Sequence, residues 1–577
     1  MKKVVLTCFL VLVLVLGGVA VGQQAQIPRE EALYVAGFQW GPPTSDNPFS
    51  GTPMTFISNP RQHIWVYEPL FTYDGLLTGE FIPILGESYQ WRDDLTLEIK
   101  LNPNAYFHDG EKVTADDVVY SYKLGEKYPI GYSSVWEWLE DVSKEDDQTV
   151  VFKMKADNPN RLMVEDALGA VYILPEHIWQ KVEEDAGYDI AEIRKFTNEN
   201  PVGSGPYRVY HESPETIILE RVDDYWGVVL HDGELPRPKY VVHPIFKSND
   251  EGNLAFENGE VDLSQQFMPR IWECWENKGL PIGTWYKEVP YHIPATMPSL
   301  WFNVNKYPLS LPELRRAIAY CIDYAKIAEL AMSNYSPEAK ASLIVPYGAQ
   351  EKYFNEELVK EEGWEYNPEK AVEILEGELG AEKGSDGIYV LPDGTRLGPF
   401  EAECPYGWTD WNAALEILAQ SAKAVGIDIE TSFPDSPVAY DNRQTGNFDM
   451  TMWTPSEPSP AQPWLNFQIV LYSKGVPEYG KIAYRNFGRY KNERADELID
   501  LIPTVTDEEE LQKLYDELDS LYRQDVPTIP LMYRPWVFYE YNETYWKGFP
   551  NADNPYAPGM PGVGAGIEIL WHIESVK

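Results

Sequence analysis

WRDDLTLEIKLNPNAYFHDGEKVTADDVVYSYKL, residues 91–124, spells out a strand, two turns and a capped helix in one uninterrupted run. Leu95, Leu97, Ile99 and Leu101 alternate with Thr96, Glu98 and Lys100, the period-two pattern of a strand with one apolar face. Asn102-Pro103-Asn104 and His108-Asp109-Gly110 are turn formers. Thr114, followed three residues later by Asp117, caps the backbone donors of a predicted helix carrying Val118, Val119 and Tyr122.

The same grammar extends outward on both sides. Towards the amino terminus, 32–38 is a short apolar strand that runs into Gln39-Trp40-Gly41-Pro42-Pro43, a loop at the strand's carboxyl end, where ligands of open α/β sheets commonly sit. Towards the carboxyl terminus, 301–305 reads as a strand, and Ser310 with Glu313 boxes a helix whose inner face is Leu314, Ala317, Ile318 and Cys321. Leu415, Leu418, Ala422 and Val425 share a helical face that Gly426 terminates, and 427–430 resumes as a strand. Phe448, Met450 and Met452 alternate with Asp449 and Thr451 in a further strand, which exits into the loop 454–464. Helices across 492–524 and a strand at 529–533 close the pattern.

A chain of 577 residues is too long for one hydrophobic core, which stops growing near roughly 250–300 residues, so two or more lobes are expected. Lys2 and Lys3 precede the apolar run 4–21, and Ala20-Val21-Gly22 places small residues before Gln23. The run is borderline for a spanning helix of about 20 residues. Its lysine start and small-residue exit fit a signal peptide at 1–22, cleaved near Gly22-Gln23. Cys8 lies inside the run, so the cysteine that a lipid anchor needs just after it is missing. The expectation is a soluble periplasmic monomer with no membrane insertion once the leader is removed.

The net charge of −44 would repel nucleic acid phosphates and anionic lipid headgroups. The 91 acidic residues read as a solvated surface. Cys274, Cys321 and Cys404 are too few and too widely spaced for a disulfide framework or a zinc knuckle. The eight histidines form no metal-protease pattern, and no phosphate-cradling Gly-rich loop is present. Val202-Gly203-Ser204-Gly205-Pro206 has its glycines too close to the serine for a nucleophile elbow. No enzyme, metal or cofactor is expected.

The 91–124 stretch resembles the signature of the large solute-binding proteins that feed ABC importers of the oligopeptide, dipeptide and nickel type. The glycine-rich crossing at 200–209, RVDDYWG at 221–227, GEVDL at 259–263 and LRRAIAYCID at 314–323 resemble further landmarks of the same family, so the resemblance spans about 30–545. It implies an α/β, two-lobed periplasmic binding protein fold (type II-like) with an extra subdomain on the first lobe. The implied division is a first-lobe core from 23–66, 200–295 and 520–577, an inserted subdomain at 67–199, and a second lobe at 296–519, with the helices across 492–524 and the strand at 529–533 returning the chain to the first lobe. It also implies an extracytoplasmic receptor that closes on its ligand and docks on ABC permease subunits.

Peptide binders of this family resemble one another in placing an aspartate in the loop after the strand that here is 448–453, to pair with the ligand's amino terminus. This chain departs from that pattern: Glu457 is the loop's one acid. Of 19 tryptophans, Trp40, Trp408, Trp411, Trp453 and Trp464 fall in loops expected to face the cleft. Flat indoles suit sugar faces, and Gln39, Asp410, Asn412, Glu457, Gln462 and Asn466 beside them suit ring hydroxyls. Trp91, Trp226, Trp272, Trp275, Trp301, Trp536, Trp546 and Trp571 are read as packing residues, a reading that Trp408 and Trp411 also allow, being three apart on a helix start. The expected ligand is an oligosaccharide of the cellobiose, β-glucan or manno-oligosaccharide type. An oligopeptide ligand is the alternative within the family, and an envelope glycoside hydrolase the alternative outside it.

Overall fold

Strand Thr96–Leu101 buries Leu97, Ile99 and Leu101, as its alternation requires, but it also buries Glu98 of the polar face, whose carboxylate accepts from Gln90 and Arg92. Helix Ala115–Lys127 begins where the Thr114 backbone N–H donates to Asp117 Oδ2 at 2.8 Å. The other oxygen of Asp117 accepts from Glu176 N at 2.9 Å and so ties this helix start to helix Glu176–Asp185. The strand lies inside a four-stranded antiparallel sheet ordered Gly86–Trp91, Thr96–Leu101, Thr149–Met154, Leu139–Asp146. The structure is a computed structural model that describes residues 27–50 and 53–576. The expected leader at 1–22, with Cys8, lies outside the described residues.

Two larger sheets set the frame. A seven-stranded sheet is ordered Ile282–Thr284, Glu540–Asn542, Leu263–Ser264, Ala32–Ala36, Tyr240–Pro244, Thr216–Arg221, Tyr207–Ser213. Its strand Ala32–Ala36 runs parallel to both neighbours. A five-stranded sheet is ordered Ile429–Ser432, Phe400–Glu403, Met450–Trp453, Ser299–Phe302, Thr528–Pro530, its first three strands parallel. Two large apolar cores pack around them, one holding Trp65, Ile99, Tyr122 and Trp546, the other holding Leu300, Ile318, Leu418 and Met450 and reaching Ala36 and Ile282 of the seven-stranded sheet. Two cores are what the chain length demands.

Between the sheets the chain crosses at 293–298 and again at 531–539. The crossings pair as an antiparallel bridge in which Thr296 N donates to Arg534 O and Arg534 N to Thr296 O, both at 2.9 Å.

Local details depart from the sequence reading in several places. The strand expected at 529–533 is Thr528–Pro530, and it does not return the chain to the first lobe: Leu300 pairs with Ile529 inside the five-stranded sheet. Ile529 is fully buried and paired inside that sheet, so the return comes only afterwards, beyond the boundary placed at 520. The strand read at 301–305 is Ser299–Phe302. Helix Pro312–Cys321 starts at a proline with Leu311 as its cap, rather than at a Ser310 box, because proline's fixed φ suits the first helical position. Gly426 does end helix Thr409–Val425, at φ +108°. Cys274, Cys321 and Cys404 are buried and free. Among the described residues no helix is long and apolar enough to cross a membrane.

Candidate functional site

Four loops leave the carboxyl ends of parallel strands and face one another between the lobes. From the first lobe come 37–41 and 265–267, and from the second 404–411 and 454–457. With the crossing segments they enclose a cavity of about 610 Å³. Ligand sites commonly run to roughly 300–1,000 Å³.

The first loop is shaped by its backbone. Gly37 turns out of the strand at φ +87°, where a side chain would be strained. Phe38 N and Gln39 N both donate to His243 Nε2, at 3.0 and 3.1 Å. Burial holds His243 down at about 4, so it stays neutral and its Nε2 can accept both bonds. The loop thus held carries Trp40, half exposed, into the cavity.

The opposite wall is indole. Trp408 precedes helix Thr409–Val425 and meets Trp411 edge-on, with ring centroids 4.8 Å apart. Trp408 also stacks on Trp453 at 5.8 Å and 29°. The Arg443 guanidinium lies 3.4 Å from the Trp453 ring centroid and braces that indole; burial lowers Arg443 to about 10.

Charge in the wall is largely compensated. Asp410 Oδ2 accepts from Arg534 Nε at 3.1 Å. Glu457 stands exposed at the mouth near Arg61. Burial pulls the Arg61 guanidinium down, but Asp166 and the nearby Glu457 more than restore it. Among the described residues no three metal-ligating side chains cluster.

The family of bacterial extracellular solute-binding proteins, family 5, matches residues 80–474 through its middle region. This chain belongs to that family. It is similar to a Thermotoga maritima protein described as the periplasmic oligopeptide-binding protein of an oligopeptide ABC transporter. Identity is 33%, the TM-score 0.86, and the match covers 95% of this chain and 99% of that one. A second structure of that protein, with mannohexaose bound, matches at a TM-score of 0.80 and 33% identity over the same shares. The Bacillus subtilis oligopeptide-binding protein AppA, in complex with a nonapeptide, shares the fold at 21% identity, a TM-score of 0.68, and 95% and 99% coverage.

The family 5 receptor is therefore a substrate-binding component of an ABC importer with the two-lobed periplasmic binding protein fold, and its relatives are solute-binding proteins rather than enzymes. Of the residues singled out from sequence, Trp40, Trp408, Asp410, Trp411, Trp453 and Glu457 line the cavity, although Trp411 is mostly buried. The others do not. Gln39 commits its amide to Gly41 O and Thr55 N. Asn412 Nδ2 donates to Pro405 O and Cys404 Sγ, while Gln462 bonds Ser456 and Gln350. Trp464 is sealed in the second core, its Nε1 donating to Ile499 O at 2.8 Å, and Asn466 is buried on Leu343 O.

Gln265, Gln266, Thr296 and Arg534, which the sequence did not mark, also line the cavity, as does Trp536, read from sequence as a packing residue. The two glutamines directly follow strand Leu263–Ser264, the same carboxyl-end position that singled out Trp40. The other three lie on the crossing segments, which have no periodicity to mark them.

Proposed function

We propose that the receptor captures a neutral oligosaccharide of the β-glucan or manno-oligosaccharide type between its lobes and delivers it to the permease, acting as an exported monomer after loss of its leader. The carrying observation is the wall itself: Trp408 stacked on Trp453 and Trp40 entering from the other lobe, with Asp410 and Arg534 neutralising each other. Indole faces accept the C–H faces of pyranose rings. A zwitterionic peptide needs buried counter-charges for both its ends, and an unpaired buried ion costs several kcal/mol. Three stacking contacts at about 1 kcal/mol each fall short of the roughly 8 kcal/mol of micromolar binding, so hydrogen bonds to ring hydroxyls supply the remainder.

Closure follows from differential affinity, since a ligand that touches both lobes stabilises the joined form. The mannohexaose held by the Thermotoga maritima relative supports this ligand class. The peptide reading is favoured by the names of the relatives and by Glu457, an exposed acid at the mouth that an amino terminus would suit. Intrinsic fluorescence titration with cello- and manno-oligosaccharides against di- to pentapeptides decides between them. A response to the sugars is expected, and a response to peptides alone overturns the proposal.

A further inference from the structure

Two carboxamides stand where strand Leu263–Ser264 ends and the cavity begins. Gln265 is anchored to its own lobe, its Nε2 donating to Gly37 O at 3.0 Å. Gln266 is not. It is 1% exposed, lines the cavity, and neither its Nε2 nor its Oε1 has a partner among the described residues. Buried polar groups are nearly always hydrogen-bonded, so a carboxamide unpaired at both ends calls for an explanation.

The surroundings keep that amide in place. A Cβ at Gly252 would fall 1.9 Å from Gln266 Oε1, and one at Gly37 would fall 2.8 Å from its Cγ. Two glycines, one at the exit of strand Ala32–Ala36 and one on helix Asn249–Glu257, leave the room that this side chain occupies. From the crossing segment Trp536, whose Nε1 is also buried and unpartnered, lines the same cavity. Beside the cavity, therefore, one buried amide carries an unpaired acceptor and an unpaired donor, and an indole adds a further donor.

Building on the oligosaccharide reading, we propose that Gln266 is a specificity-determining residue of this receptor. Its carboxamide takes two neighbouring hydroxyls of one sugar ring, accepting through Oε1 and donating through Nε2, while Trp536 Nε1 donates to a third oxygen. A hydroxyl both donates and accepts, so a pair of them satisfies both ends of the amide. An ammonium group satisfies only Oε1 and a carboxylate only Nε2, and each leaves the other end unpaired in a buried place. A polar site of this kind discriminates through the groups it would leave unpaired with the wrong ligand.

The test is calorimetric titration of the full mature chain with β-1,4-mannohexaose and with cellohexaose, whose rings differ in configuration at C2. Gln266→Leu keeps roughly the same volume and deletes both polar ends. The variant is expected to melt at or above the wild-type temperature, to bind the preferred sugar about tenfold or more weakly, and to shift the ratio of the two affinities about threefold or more. Trp536→Phe, which keeps a ring and removes the N–H, is expected to lose about fivefold. Gln266→Leu binding within about twofold of wild type for both sugars overturns the assignment and leaves the amide as a water-binding group. Should that variant not fold, Gln266→Asn, shorter by one methylene, is read by the same criterion. Wild-type protein that binds neither sugar overturns the ligand class and this assignment together, whereas wild-type binding that the variants retain overturns this assignment alone.

Discussion

Ser459 Oγ donates to Asp166 Oδ1 at 2.8 Å, joining the loop beyond strand Met450–Trp453 to helix Arg161–Leu168 of the other lobe. Asp166 is buried and also held by Arg61, so the acceptor is fixed before Ser459 arrives. This bond exists only while the lobes are together. Ser459→Ala removes a bond to a charged group, worth about 1.5–3 kcal/mol, from the joined form alone, and from both forms the bond that Ser459 Oγ accepts from Ala461 N. Ligand affinity is expected to fall roughly ten- to hundredfold, and the radius of gyration of the ligand-free protein in X-ray scattering is expected to rise. Unchanged affinity would show that the bond is no latch.

The bonds from Phe38 N and Gln39 N to His243 give the Trp40 loop a pH dependence. The folded value of His243, about 4, lies below its ordinary 6.5, so between those limits the unfolded chain binds the extra proton. Stability from this group is complete above pH 6.5 and is lost as pH falls towards 4. About 2 kcal/mol of it goes between about pH 7 and about pH 5. The Glu68 carboxyl, which burial raises to about 8, acts in the opposite direction over the same range. The discriminating quantity is thus the difference between wild type and His243→Gln in urea unfolding. The variant's disadvantage at neutral pH should shrink by about 2 kcal/mol on acidification to about pH 5, and a pH-independent difference would contradict it.

The outline of the fold was legible because periodicity survives in any packed element. The 95–101 alternation, the Thr114–Asp117 cap and the Gly426 stop each record a local constraint that the structure obeys. Destination was harder to read. The apolar run near Ile529 announces a strand, but its pairing with Ser299–Phe302 rests on register between distant segments, which no local pattern carries. The same limit governs the cleft. Trp40, Trp408 and Trp453 lie at strand ends and reach the cavity, whereas Trp464, further along such a loop, is drawn into the core by a helix that begins at that very residue. Gln266 follows a strand end as Trp40 does, but neither it nor Trp536 carries a motif, and the glycines and crossing segments around them show why they matter.

That division among the tryptophans has measurable consequences. Trp464→Ala empties a core site and should cost about 3–5 kcal/mol of stability. Trp40 is half exposed, so Trp40→Ala should leave the melting temperature nearly unchanged while weakening oligosaccharide binding about fivefold, the worth of one stacking contact. Thermal melts and titrations of the two variants separate the roles. A Trp40→Ala protein that binds normally would remove this indole from the site.

Asp410 offers a test of the cleft's electrical balance. Its carboxylate accepts from Arg534 Nε at 3.1 Å, and Arg534 sits on the crossing segment where the bridge to Thr296 fixes its backbone. Asp410→Asn keeps the shape and an acceptor oxygen but leaves the guanidinium uncompensated, so the wall gains one positive charge. A ligand bearing carboxylates then meets a partner that the wild-type cleft withholds, and charge-assisted hydrogen bonds are about twice as strong as neutral ones. Affinity for an acidic oligosaccharide such as a uronate oligomer is expected to rise about tenfold at low salt, and to fall back as salt screens the partly exposed site. Neutral oligosaccharides should change far less, because they present no charge for Arg534 to recognise. Equal effects on acidic and neutral sugars would mean that the Asp410–Arg534 pair holds the hinge in shape and has no part in keeping the cleft neutral.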